Sequence, residues 1–122
     1  MAQTLSIRKY SRETKKIITQ HSEKFLFWDL KLQDELLYKI YFLRVQYPNG
    51  KIEDIDYGQE VYKEEYSNGN SKWVSKNGYT GNFNGKSQNL INKLQSQGYY
   101  ARTDIIAKFL TGKIDTLIMQ KN

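Results

Sequence analysis

The stretch LYKIYFLRVQYPNGKIEDIDY, residues 37–57, constrains the fold of this chain more than any other. Two runs rich in β-branched and aromatic residues flank Tyr47-Pro48-Asn49-Gly50-Lys51. Proline presets the φ of a turn and glycine accepts the left-handed conformation, so the segment reads as a hairpin whose turn carries a bulge. Further along, the pairs Asn68-Gly69 and Asn77-Gly78 continue the hairpin as a meander through EVYKEEYS, SKWVSK and YTGNF. Ahead of it, KFLFWDLKL alternates, with Leu26, Trp28, Leu30 and Leu32 on one face and Asp29 and Lys31 on the other. Period two over such a run predicts a half-buried strand.

The two ends have a different character. Residues 1–10 read as a flexible basic arm, and SRETKKIITQHS as a short helix with Ser11 as N-cap and Ile17 and Ile18 as apolar contacts. Beyond Gly85, SQNLINKLQSQG sets Leu90, Ile91 and Leu94 at helical spacing, with Ser87 as N-cap and Gly98 just past the end. TDIIAKFLTG repeats the design, with Thr103 capping, Ile105, Ile106, Phe109 and Leu110 forming a stripe, and Gly112 as the stop. KIDTLIMQ closes the chain as a last short helix or an edge strand. The expectation is one α+β domain over residues 1–122: an antiparallel β-meander of about four or five strands across residues ~25–83, with an N-terminal helix and two or three C-terminal helices.

Residue types exclude much chemistry. There is no cysteine, hence no disulfide framework and no thiolate metal site. His21 is the only histidine, so neither a paired-histidine metal site nor a two-histidine acid–base mechanism can be built. Gly85-Lys86-Ser87 matches the last three positions of the phosphate-cradling pattern G-x-x-x-x-G-K-[ST], but the first glycine of that pattern falls on Thr80. The preceding SKWVSKN is polar where such a loop needs a buried strand, and no acid stands at the end of a following apolar strand to hold Mg²⁺. No nucleotide cofactor is expected, nor any other. Asp29-Leu30-Lys31 has the acid-x-lysine spacing of metal-dependent nucleases, with Glu53, Asp54 and Asp56 as further oxygens, but lacks the second acid on a preceding strand. A nuclease is therefore the weakest of three readings, and the chain reads as a non-enzyme.

Charge favours binding. The formal net charge is +6, and it is uneven: residues 1–33 carry +4, residues 34–66 carry −4, and residues 67–122 carry +6. In the basic C-terminal part, Lys72, Lys76, Lys86, Lys93 and Arg102 are interleaved with Trp73, Tyr79 and Tyr99. Cations against phosphates and rings under bases are the two ingredients of single-strand recognition. The leading expectation is a small basic protein that binds nucleic acid or a nucleoprotein complex through those eight residues. The alternative is a protein-binding inhibitor, of the type carried by phages and mobile elements against host defence nucleases, using the tyrosine-rich acidic segment Tyr57, Tyr62, Glu64, Glu65 and Tyr66. No apolar run is long enough to span a bilayer, so no membrane partner and a cytoplasmic location are expected.

Overall fold

The structure is a computed structural model that describes residues 3–25, 28–74 and 80–122, with the side chains of residues 21, 23–32 and 80 outside that description. The elements run β1 (Gln3–Phe25), β2 (Trp28–Gln46), β3 (Ile52–Glu65), β4 (Ser71–Trp73), β5 (Thr80–Gly81), α1 (Phe83–Ser96), α2 (Thr103–Leu110) and β6 (Thr116–Lys121). They form one antiparallel sheet in the order β4-β3-β2-β1-β6, with β5 alongside β3. By contacts the chain divides into two compact units, one of residues 1–11, 41–58 and 81–122 and the other of residues 12–40 and 59–80.

Two turns of identical design set the meander. In Tyr47–Lys51 the Gly50 N–H donates to Tyr47 O, the Tyr47 N–H to Lys51 O, and the Lys51 N–H to Asn49 Oδ1. In Tyr66–Asn70 the same three bonds recur: Gly69 N–H to Tyr66 O, Tyr66 N–H to Asn70 O, and Asn70 N–H to Asn68 Oδ1. Gly50 and Gly69 have φ of 87° and 86°. That left-handed backbone is open to glycine and strained for other side chains, so the Asn-Gly pair specifies the bulged turn. Asn77-Gly78 lies outside the described residues.

The expected N-terminal helix does not exist. Residues 3–25 are strand, and within the stretch read as a free arm residues 3–8 pair with β6 in the register Leu5↔Met119 and Ile7↔Leu117. The physical reason lies in residues 11–20, where β-branched Thr14, Ile17, Ile18 and Thr19 disfavour helix. Ile17 and Ile18, read as the apolar face of that helix, are both exposed. The two strands expected at KFLFWDLKL and LYKIYFLRVQY are also corrected: β1 ends at Phe25 and β2 runs continuously from Trp28 to Gln46. The last segment is strand β6, the second of the two forms expected for it, so the described residues hold two short helices, both C-terminal, in place of an N-terminal helix with two or three C-terminal ones.

In the first unit α1 and α2 cover one face of the sheet. Leu5 and Ile7 of β1, Leu43 and Val45 of β2, and Leu117 and Met119 of β6 meet Leu90, Ile91 and Leu94 of α1 and Ile106 and Phe109 of α2. Both helices end in Schellman motifs closed by a positive-φ glycine. After α1 the Gly98 N–H reaches Gln95 O and the Tyr99 N–H reaches Leu94 O; after α2 the Gly112 N–H reaches Phe109 O and the Lys113 N–H reaches Lys108 O. In the second unit no described residue is fully buried. Its strands are tied by cross-strand pairs instead, including Lys15 Nζ to Glu35 at 3.7 Å and the Ser67 N–H to Asp34 Oδ1 at 2.9 Å.

Both helix starts fall elsewhere than expected. The N-cap of α1 is Asn82, whose Oδ1 accepts the Gly85 N–H at 3.2 Å, and Thr103 is the first helical residue of α2 behind the cap position Arg102. Ser87 is inside α1, at the head of the buried stripe Ser87, Leu90, Ile91 and Leu94. Helical phase thus carries its hydroxyl into the core, where it has no hydrogen-bond partner. Two substitutions separate the roles. Asn82→Ala is expected to lower stability by about 1 kcal/mol. Ser87→Ala, which removes an unsatisfied buried hydroxyl, is expected to leave denaturant stability unchanged or raise it. A loss on Ser87→Ala matching that of Asn82→Ala would restore Ser87 as the cap.

Candidate binding surfaces

Strand β4 carries the most exposed large ring among the described residues. The turn at Asn68-Gly69 pairs Tyr66 with Asn70, and counting outward gives Glu65↔Ser71, Glu64↔Lys72 and Lys63↔Trp73. The Val74 N–H donates to Tyr62 O at 3.3 Å, so Tyr62–Val74 and Glu64–Lys72 exchange ladder bonds while Lys63 and Trp73 are the close, non-hydrogen-bonded pair between them. Side chains approach most closely at such pairs, and Lys63 Nζ lies 5.0 Å from the centre of the Trp73 ring. Glu65 holds the same ammonium at 3.2 Å. Trp73 nevertheless remains 72% exposed, and its chain neighbour Lys72 is exposed on the opposite face of the strand. Lys76 and Tyr79, assigned to the same interface from sequence, lie outside the described residues.

The other sequence-assigned cations belong to the helix-bearing unit, which holds ten of the nineteen Lys and Arg against five Asp and Glu. Lys86 and Lys93 are exposed on α1, two turns apart and so about 10 Å along the axis. Lys93 approaches Glu53 at 3.8 Å and Arg102 is bonded to Asp104 at 2.9 Å, whereas Lys86, Lys108 and Lys113 have no ion pair among the described residues. Gly85-Lys86-Ser87 is helical, not a phosphate loop, and the Ser87 hydroxyl is sealed in the core. Tyr99, expected as a stacking ring, is 8% exposed and belongs to the core cluster. The Schellman turn folds it back over Leu94, and Lys121 Nζ sits 5.4 Å from its ring centre. An apolar residue directly after a helix-ending glycine is the sequence signal for that burial.

The tyrosine-rich acidic segment is largely occupied with itself. The Tyr57 ring meets Phe83 edge-on at 5.2 Å and Tyr41 at 6.3 Å. Tyr66 donates its hydroxyl to Glu64, and that bond, more than burial, raises its pKa. Burial raises the pKa of Tyr62, and Glu13 adds to the effect. Glu65 bonds Lys63. Carboxylates set against phenols in this way hold the phenols neutral and are already solvated by them. Asp29, Lys31 and His21 have side chains outside the described residues; Asp54 takes a bidentate bond from Arg44 at 2.9 and 3.1 Å. Among the described residues no group of three metal-ligating side chains comes together, and no helix is long and apolar enough to cross a membrane.

A cleft of about 190 Å³, with no counterpart in the sequence pattern, opens in the helix-bearing unit between Gln3, Tyr47, Pro48, Asn49 and Tyr99. Gln3 starts β1, the next three lie just past β2, and Tyr99 lies just past α1, so no local signal joins them. The Tyr47 hydroxyl donates to Glu53 Oε2 at 2.9 Å. Burial first, and then that carboxylate, push its pKa up to about 12.

This raised value has a definite sign. Above pH 10, where an exposed tyrosine ionises, the unfolded chain sheds a proton that folded Tyr47 keeps until about pH 12. Tyr47 therefore contributes stability below pH 10 that is lost across this window. Subtracting the phenolate titration of Tyr47→Phe from that of the unmutated chain is expected to isolate a step near pH 12. A difference step at the ordinary value would show that neither burial nor Glu53 acts on it.

No family model, curated protein sequence or solved structure matches this chain.

Proposed function

We propose that this chain is a non-enzymatic binding protein whose partner is single-stranded nucleic acid, free or displayed by a nucleoprotein complex. The observation that carries the reading is Trp73, 72% exposed on a three-residue edge strand, with Lys63 Nζ against its ring and exposed Lys72 on the opposite face of the same strand. Leaving an indole in water forgoes roughly 1.5–3 kcal/mol of burial, and a flat face with an ammonium group next to it is what an unstacked base and its phosphate require. A stacked base stabilises such a complex by about 1–3 kcal/mol, irrespective of sequence. The excess of fifteen lysines over four arginines suits attraction to the phosphate backbone more than bidentate reading of base edges. Action in the cytoplasm goes with this partner. The acidic tyrosine segment supports a protein-directed inhibitor less well, because Tyr66 is bonded to Glu64, Tyr62 is set against Glu13 and Glu65 is paired with Lys63.

Fluorescence anisotropy with labelled single-stranded DNA and RNA at two salt concentrations tests this reading. Trp73→Ala is expected to weaken binding by about 1–3 kcal/mol with no change of salt slope. Lys72→Glu is expected to weaken it for every sequence and to flatten the slope. Unaltered affinity in both variants, with far-ultraviolet circular dichroism showing an intact sheet, would reject the surface.

A further inference from the structure

We infer that the cleft between Gln3, Tyr47, Pro48, Asn49 and Tyr99 is a binding site for a single nucleobase. Tyr99 marks it as a site: the residue is 8% exposed, it lines the cleft, and its hydroxyl has no hydrogen-bond partner among the described residues. The ring is packed away while the oxygen is not among the sealed polar atoms, which leaves the tip of the residue open to a partner from outside. The hydroxyl is not sealed in the core as that of Ser87 is, so a polar edge entering the cleft can meet it.

The remaining lining defines the ligand. The Tyr47 hydroxyl already donates to Glu53, so this residue offers the cleft a ring and little hydrogen bonding. Pro48 adds a second flat apolar wall. Asn49 Oδ1 is taken by the Lys51 N–H, which leaves the Nδ2 donors. Gln3 offers both a donor and an acceptor, as does the Tyr99 hydroxyl. Flat apolar walls with amide and hydroxyl groups at the rim match a planar heterocycle that carries carbonyl and ring-nitrogen acceptors beside an N–H donor. Asn and Gln carboxamides pair with such edges, and tyrosine rings take their faces. Among the described residues no carboxylate or ammonium group belongs to the lining, and Lys121 Nζ stands 5.4 Å from the Tyr99 ring centre, so neutral groups dominate what a ligand meets. About 190 Å³ is below the roughly 300 Å³ at which drug-sized pockets begin, so the base enters and its sugar and phosphate stay outside.

The base could come from a free nucleotide or from an unstacked position in a strand. The choice of the strand rests on the function proposed above, whereas the cleft chemistry does not. Titration of the full chain with AMP, CMP, GMP and UMP, followed through the side-chain amide NMR signals of Gln3 and Asn49, separates these, with ribose phosphate as the base-free control. At least one nucleotide is expected to shift both amides saturably while ribose phosphate does not. Tyr99→Phe, which keeps the ring and removes the hydroxyl, is expected to weaken that binding about fivefold, and Gln3→Ala similarly. Trp73→Ala is expected to leave it unchanged.

Shifts equal to those from ribose phosphate, or full affinity in Tyr99→Phe, overturn the base site. Single-strand binding that depends on Trp73 alone, with no saturable nucleotide shift at Gln3 and Asn49, overturns it too and leaves the proposed function standing. Nucleotide binding lost in Tyr99→Phe, with no oligonucleotide binding at any salt, supports the cleft as a free-nucleotide site and removes the strand reading.

Discussion

Everything in the helix-bearing unit depends on the pairing of the first strand with the last. Leu5 and Ile7 can be buried only if Met119 and Leu117 stand opposite them, and the helices can settle only on the face that these four complete. Bringing together residues more than a hundred positions apart costs chain entropy, although the cost grows only logarithmically with length. The apolar face offsets it. Burial of Phe109, Leu94, Ile91 and the strand residues beneath them amounts to about 1.5–3 kcal/mol for each large side chain. The helices are thus held by a closure that they also cover, and neither α1 nor α2 is long enough to persist alone in water.

That closure explains what a reading of the sequence could and could not reach. Turn chemistry is local, so Asn49-Gly50 and Asn68-Gly69 announce their turns, and Gly98 and Gly112 stand at the helix ends where a left-handed residue is needed. Counting outward from Asn68-Gly69 would have placed Lys63 opposite Trp73 without any structure. The partner of β1 cannot be found that way, because nothing near residue 5 points to residue 119. Without a visible partner, residues 11–22 invite a helix, even though their threonines and isoleucines favour extended backbone. Ser87 misled for a related reason: a serine after a glycine suggests a cap, and only the phase of the buried stripe shows that the helix began four residues earlier. The five residues of the cleft come from three distant segments and leave no trace in any window of sequence.

The two candidate surfaces rest on opposite physical situations. Trp73 is an apolar group kept in water, and the cleft presents a polar group, on a largely buried ring, that the protein leaves without a partner. Each is a local departure from the rule that rings are buried and hydroxyls are satisfied, and such departures concentrate where a partner completes the structure. The Tyr57–Tyr66 segment shows the contrary case. It looked equally rich in sequence, but its phenols and carboxylates meet one another and little remains for a partner.

The edges of the sheet bear on how this chain behaves at high concentration. A long β-strand with an unprotected margin templates the addition of other chains. Here one margin is β4, only three residues long and carrying Lys72 at its centre. At the other, β6 gives its Gln120 N–H and C=O to Tyr100 and ends on Lys121. β4 covers only Lys63–Glu65 of the fourteen-residue β3, and the two-residue β5 adds a second short contact along the same strand. These short, lysine-bearing or already bonded strands guard only the stretches they flank, Lys63–Glu65 of β3 and Gln3–Arg8 of β1, so protection against the addition of copies is local to those ends of the long strands.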